Sequence, residues 1–293
     1  MELVANGYGL IEGPVWDQAL KALYFSDVAN GGVFQLDSAT KAVTQVIEKR
    51  RGVGGMALHA QGGLVFSGRD IAYAPLSSGN QARSFLSPAD LAGAVGFNDL
   101  TTDRDGRIWV GSLAFVVFGG GEPKPGGLHV IDLNGTVRTV STGVMLTNGL
   151  GFSPDGSKLY HSDTRSELVR VYDITAGVPS VSGAPISGVD NWRTFARFPR
   201  GGAPDGLKVA ADGSVWVADA RNGRVAVFDP DGHPRTDIEV PAPMVTSLCF
   251  GGEDLCDLYI VTGSDSGPPN SGAIFKHRVA TPGLAVAPAR IRI

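Results

Sequence analysis

One unit recurs six times along the chain, and it dictates the fold. Its core is a leucine, isoleucine or valine, then a large residue, an apolar residue and a small one. The copies are Leu23-Tyr24-Phe25-Ser26-Asp27, Leu64-Val65-Phe66-Ser67-Gly68, Ile108-Trp109-Val110-Gly111-Ser112, Leu159-Tyr160-His161-Ser162-Asp163, Val215-Trp216-Val217-Ala218-Asp219 and Leu258-Tyr259-Ile260-Val261-Thr262. Successive copies lie 41 to 56 residues apart, the range of four-stranded propeller blades.

Turns such as Asp105-Gly106, Pro154-Asp155-Gly156 and Asp212-Gly213 precede the copies, and Asp-Gly between strand-like runs signals a hairpin. A third strand follows, as in Gly32–Asp37, Gly127–Asp132 and Gly223–Asp229, and a weaker fourth ends most units, as in Ala42–Ile47. No long helix-period pattern competes. The expectation is an all-β fold: a six-bladed β-propeller with four antiparallel strands per blade, a single domain over residues 1–293. Glu2 to Ala5 are expected to add a strand to the last blade and close the ring. Two units are stretched, by Phe115–Glu122 and by the Ser/Gly/Pro-rich run from Ile174 to Asp190.

Composition agrees and narrows function. Glycine at 41 and proline at 18 of 293 residues, with 43% apolar residues, suit many short strands joined by tight turns. Net charge is −4 and Arg50-Arg51 is the densest basic spot, which disfavours nucleic acid as a partner. No apolar stretch is long enough for a membrane helix. The N-terminal residues carry no basic and apolar signal-peptide regions, and two cysteines make no disulfide framework, so the expected location is cytoplasmic. Oligomeric state is expected to be a monomer or small homo-oligomer.

Four segments share an oxygen-bearing residue just ahead of a short strand: Glu12-Gly13, Asn98-Asp99, Asn148-Gly149 and Asp205-Gly206. In a propeller the first strand of every blade lines the central channel. The six equivalent positions are Glu12, Gly54, Asn98, Asn148, Asp205 and Thr246 or Ser247. Asn-Gly and Asp-Gly are common turn dipeptides, and any one alone reads as a turn. Three in register are harder to assign to turns, because other dipeptides further along each unit already supply them. Glu12, Asn148 and Asp205 therefore read together as a divalent-metal site of hard oxygen donors, suited to Ca²⁺, Mg²⁺, Mn²⁺, Fe²⁺ or catalytic Zn²⁺. Two carboxylates and an amide give charge −2 and leave positions open for water and substrate. The adjacent glycines are expected to let the backbone turn tightly and keep the channel wide.

Other motifs read as structure. Asp103-Arg104-Asp105-Gly106 begins like a calcium loop but lacks the remainder and reads as a hairpin turn. Ser264-Asp265-Ser266-Gly267 lacks the strand-turn-helix setting of a serine nucleophile. The five histidines show no ligand spacing, and Cys249 and Cys256 read as buried small residues.

The motifs Glu12-Gly13-Pro14-Val15-Trp16, Phe97-Asn98-Asp99, Thr147–Gly156, Pro204-Asp205-Gly206 and Phe250–Leu255 together resemble the regucalcin–gluconolactonase family, which includes luciferin-regenerating enzymes. The resemblance runs from about residue 10 to residue 277. It implies a six-bladed propeller holding one divalent metal at the channel mouth, with Glu12, Asn148 and Asp205 as ligands. It further implies that Asn98 and Glu122 contact substrate and that Asp99, also at the substrate site, supports the site or a ligated water. One departure is Gly96, where sugar-lactone members typically carry an arginine. With Phe115-Val116-Val117-Phe118 nearby, it points to a small-molecule lactone or ester less polar than a typical sugar lactone. The implied reaction is lactone hydrolysis by metal-activated water, with Asp205 as general base. A phosphotriesterase on the same fold, a non-catalytic divalent-metal-binding propeller and a partner-binding propeller are the alternatives.

Overall fold

The structure, a computed structural model, describes residues 1–76, 82–118, 121–174, 192–199, 201–264 and 268–293. The whole run after Ile174 through Asp190, the residues Asp265 to Gly267, and Gly119 and Gly120 of the other stretched unit fall outside them. The described residues form six antiparallel sheets of four strands. They hold no α-helix, and no helix long and apolar enough to cross a membrane.

From the channel outward, blade 1 holds β2 (Ile11–Asp17), β3 (Ala22–Asp27), β4 (Val33–Asp37) and β5 (Val43–Ile47). Blade 2 holds β6 (Met56–Leu58), β7 (Leu64–Phe66), β8 (Ile71–Ala74) and β9 (Arg83–Leu86). Blade 3 holds β10 (Gly96–Thr102), β11 (Ile108–Leu113), β12 (Gly126–Ile131) and β13 (Val137–Val144). Blade 4 holds β14 (Thr147–Phe152), β15 (Lys158–Asp163), β16 (Leu168–Asp173) and β17 (Arg193–Arg197). Blade 5 holds β18 (Pro204–Val209), β19 (Val215–Asp219), β20 (Arg224–Phe228) and β21 (Ile238–Glu239). Blade 6 holds β22 (Val245–Gly251), β23 (Asp257–Thr262) and β24 (Gly272–Arg278), and β1 (Glu2–Tyr8) pairs with β24 as its outer strand. The N-terminus thus closes the ring as expected.

Every copy of the six-fold unit is the second strand of its blade, and it is buried on both faces. That explains why its letters run apolar instead of alternating. Gly106, Gly156 and Gly213 have φ of +90°, +72° and +83°, the left-handed values that tight turns leading into such a strand require. Six apolar clusters fill the gaps between adjacent blades, one per gap around the ring. The large second residue of the unit reaches across these gaps. Trp109 meets Phe152 at 5.5 Å, Trp216 meets Phe250 at 5.3 Å and Tyr259 stacks on Trp16 at 5.5 Å between ring centres. Each such side chain contributes roughly 1.5–3 kcal/mol by burial, and none can do so without the neighbouring blade.

Candidate metal centre

All the candidate oxygens lie near the starts of inner strands, hence at one mouth of the channel. Each lies in or beside a break in strand pairing. In blade 3, Phe97 pairs with Ser112 and Leu100 with Val110, so Asn98 and Asp99 oppose Gly111 alone. In blade 4, Asn148 and Gly149 oppose Ser162. In blade 5, Asp205 and Gly206 oppose Ala218. In blade 1, Glu12 pairs with Ser26, and the two residues after it, Gly13 and Pro14, oppose Phe25. Two residues against one is a β-bulge, which re-aims side chains and tolerates the missing N–H of a proline.

The glycines have a different purpose from the one their letters suggest. Of the glycines that follow Glu12, Asn148 and Asp205, only Gly13 has a left-handed backbone, at φ +54°. A Cβ on Gly149 would stand 2.1 Å from the Leu207 nitrogen of the next blade, and one on Gly206 2.0 Å from Ser247 Oγ. A Cβ on Gly55 would stand 2.5 Å from Asp99 Oδ1. These glycines let adjacent inner strands approach closely. They narrow the ring around the oxygens.

Three buried aspartates latch the segments that lead into the bulges. Asp27 accepts the N–H groups of Gly9 and Leu10 at 3.0 and 3.3 Å. Asp163 accepts those of Met145 and Leu146 at 3.2 and 3.1 Å, and pairs with Arg170 at 2.6 Å. Asp219 accepts the Ala203 N–H at 3.0 Å and pairs with Arg224 at 3.1 Å. These blades are the ones that carry Glu12, Asn148 and Asp205.

A relay of hydrogen bonds then joins blades 3, 4 and 5. The Asn98 amide donates to Asn148 Oδ1 at 2.5 Å and to the Thr147 carbonyl at 2.7 Å. Asn148 Nδ2 donates to Thr164 Oγ1 at 2.7 Å, and that hydroxyl donates to the Pro204 carbonyl at 2.7 Å. Both Asn98 amide hydrogens are therefore engaged, and only its Oδ1 remains to meet a substrate.

Glu12, Asp99 and Asp205 crowd one another. Burial, then the charges of Asp205 and Asp99, raise Glu12 well above the ordinary glutamate value. Burial, then Asp99, raise Asp205 well above the aspartate value. Burial also raises Asp99, against the opposing charge of Lys208. Besides the two carboxylates read as ligands, the pocket holds the Asp99 carboxylate, with Lys208 as the nearby cation. Asp205 Oδ1 is buried with no hydrogen-bond partner among the described residues. Buried oxygens whose charges act on one another, one of them unsatisfied, fit a hard divalent cation.

Glu122 stands apart, exposed in the segment before β12, with no hydrogen bond to this cluster among the described residues. Ser264-Asp265-Ser266-Gly267 lies mostly outside the described residues, while other motifs read as structural behave so. Asp103 Oδ1 accepts the N–H groups of Asp105 and Arg107, each at 3.0 Å, which makes a hairpin turn. His161 is buried against Thr147, and burial holds its pKa down at about 3. Burial likewise brings His129 to about 4, between Ser112 and Thr139. The exposed group Asp229, Asp231 and His233 is also a turn, its Asp229 carboxylate already accepting two backbone N–H groups. Residue types alone did not reveal Thr164 or Lys208. The three latching aspartates were visible as the last letter of three of the six copies.

The family description "SMP-30/Gluconolactonase/LRE-like region" matches residues 10–264. The chain belongs to this family. Its gluconolactonase-like relatives are similar along nearly their whole length. A 6-deoxy-6-sulfogluconolactonase of Pseudomonas putida is 31% identical over 94% of this chain and 92% of its own. A regucalcin of Xenopus laevis is 30% identical over 94% and 92%. A solved luciferin-regenerating enzyme superposes with a TM-score of 0.85 at 23% identity, covering 99% of both chains, and shares the propeller fold.

Proposed function

We propose that this protein is a metal-dependent hydrolase that opens lactone rings. The observation that carries the reading is the cluster of Glu12, Asn148 and Asp205 on three different inner strands, with Asp205 Oδ1 buried and unpaired. Relatives named for lactone hydrolysis, including a Haloferax volcanii pentonolactonase 31% identical to this chain, support the substrate class. Glu12, Asn148 and Asp205 would hold one divalent ion; Ca²⁺, Zn²⁺, Mn²⁺, Mg²⁺ and Fe²⁺ all suit the donors. When bound, the ion supplies Lewis acidity toward the ester carbonyl and acidity to water.

The chain supplies the rest. Asp205 accepts the proton of the attacking water, because a carboxylate at the edge of the site can both ligate an ion and take a proton. Asn98 holds Asn148 in place and presents its own Oδ1 to a substrate hydroxyl. Asp99 keeps the pocket anionic. Glu122 is the candidate second contact at the rim.

The rim favours a substrate less hydroxylated than a sugar lactone. Gly96 offers no side chain, and it pairs with Leu113, which brings the following loop beside the mouth. There Phe115 is buried under the Arg165 guanidinium, 5.3 Å from its ring, while Val116 and Phe118 are exposed. A panel running from aliphatic γ- and δ-lactones to aldonolactones, assayed with wild type and Asp205→Ala, with and without chelator, tests the reading. Aliphatic lactones should turn over faster, by a chelator-sensitive rate that Asp205→Ala abolishes. A preference for aldonolactones would refute the polarity assignment, and unchanged activity in Asp205→Ala would refute the site. An organophosphate triester assayed alongside separates the phosphotriesterase alternative.

A further inference from the structure

The opposite end of the channel is strapped by the C-terminal segment. Leaving β24, the chain crosses blade 5, where Ala211 donates to the Pro282 carbonyl at 2.8 Å and Leu284 donates to the Val209 carbonyl at 3.0 Å. It then passes blade 3, where the Thr102 hydroxyl donates to the Ala287 carbonyl and Arg290 donates to the Gly106 carbonyl at 2.9 Å. It ends in the gap between blades 2 and 3, with Ala289 and Ile291 buried, His59 Nε2 donating to the Ile291 carbonyl at 3.1 Å and Arg292 donating to the Leu133 carbonyl at 2.8 Å.

Between this strap and blades 3, 4 and 5 lies a cavity of about 370 Å³, a size that suits a small organic ligand. Phe152, Val209 and Leu284 give it an apolar wall, and Arg104 and Lys208 give it two cations. Arg104 donates to the Asp155 carbonyl at 3.0 Å. Neither it nor Lys208 has a carboxylate within ion-pair distance among the described residues. The carboxylates on the same wall are already engaged: Arg107 bonds Asp103 at 2.8 Å and also bonds Asp105. The cavity lining therefore holds three cations against two carboxylates beside apolar surface, and those carboxylates oppose a dianion.

We propose that this strapped cavity is a second binding site, for a small monoanionic carboxylate with an apolar body. The site is coupled to the channel mouth. Lys208 lies three residues along β18 from Asp205, and its charge acts on Glu12 and Asp99. An anion beside Lys208 offsets the repulsion that this lysine exerts on a cation at the mouth. The two ligands should therefore bind with mutual reinforcement, equal in both directions.

The test is a calorimetric and NMR titration of the full chain with benzoate, acetate and inorganic phosphate, in chelator and again with a divalent ion. Benzoate should bind saturably at one site without metal, more tightly than acetate or phosphate. Lys208→Met and Arg104→Gln should each weaken it about tenfold, the scale of one charged hydrogen bond. Asp205→Asn should leave benzoate binding in chelator intact. Absence of saturable benzoate binding, binding that survives both cation substitutions, or tighter phosphate binding would overturn the proposal. So would binding that requires the metal or is lost in Asp205→Asn, because that would place the carboxylate at the mouth.

Discussion

Thr164 accepts the amide nitrogen of Asn148 at 2.7 Å while giving its own proton to the Pro204 carbonyl. A hydroxyl whose proton is spent can only accept, so the nitrogen of Asn148 must face Thr164 and its Oδ1 must face the channel. Replacing Thr164 by the near-isosteric valine removes this constraint and leaves the amide unpaired. Metal affinity in Thr164→Val should fall by about tenfold, as for other groups that orient a metal ligand. Calorimetric metal titration checks this, with circular dichroism to confirm that the fold persists. An unchanged affinity would remove Thr164 from the site.

Asp219 should matter to the fold and to the site together. It holds the Ala203 N–H two residues before Asp205 and pairs with Arg224. In Asp219→Asn the Arg224 guanidinium loses its buried partner but keeps Asp237 at 2.6 Å. Stability to urea should drop by about 3 kcal/mol, the lower end for a broken buried pair, and metal affinity should fall with it. A variant as stable as wild type would contradict the latch.

Gly149→Ala tests the close approach of blades 4 and 5. The added methyl would meet the backbone nitrogen of Leu207 at 2.1 Å, which no side-chain rotation relieves. The melting temperature should fall by an amount equivalent to roughly 1–3 kcal/mol. The same substitution at Gly135, where a Cβ would have no neighbour within 4 Å, controls for steric effects, although its φ of +86° adds local strain. Equal losses at the two positions would argue that contact with blade 5 is unimportant.

The crowded carboxylates give the metal-free protein an unusual pH response. Glu12 and Asp205 bind protons more tightly folded than at their ordinary values of 4.5 and 3.8. Their contribution is therefore full below the ordinary values and is lost as pH rises through the raised ones. Metal-free Asp205→Asn should exceed metal-free wild type in stability at neutral pH by about 0.5–2 kcal/mol, and the advantage should vanish toward pH 4. Urea melts in chelator across this range decide it. A wild type more stable than the variant at neutral pH would show that the carboxylates are not strained. Divalent-ion binding should release protons and tighten as pH rises.

The blades were legible because each second strand is buried on both faces and so writes the same apolar letters six times. The oxygens were legible because they fall at one position of that repeat. The bulges were not, since a bulge is a fact of pairing between β10 and β11 or β14 and β15 and leaves no distinctive residue. Asp27, Asp163 and Asp219 were visible as letters, but their N–H partners lie before the preceding strand and emerge only with the fold. Thr164 and Lys208 act across blades, and the strap after Arg278 repeats nothing, so neither left a pattern to read.

A divalent ion held by Glu12, Asn148 and Asp205 is the proposed centre of lactone opening. Its most direct test is the rate of lactone opening by chelator-treated protein as a divalent ion is returned, in wild type and in Glu12→Gln. Wild-type activity should rise from near zero and saturate at about one ion per chain, while Glu12→Gln stays about 100-fold lower at the same ion concentration. A chelated wild type that keeps its full rate, or a Glu12→Gln protein restored as readily as wild type, would contradict it.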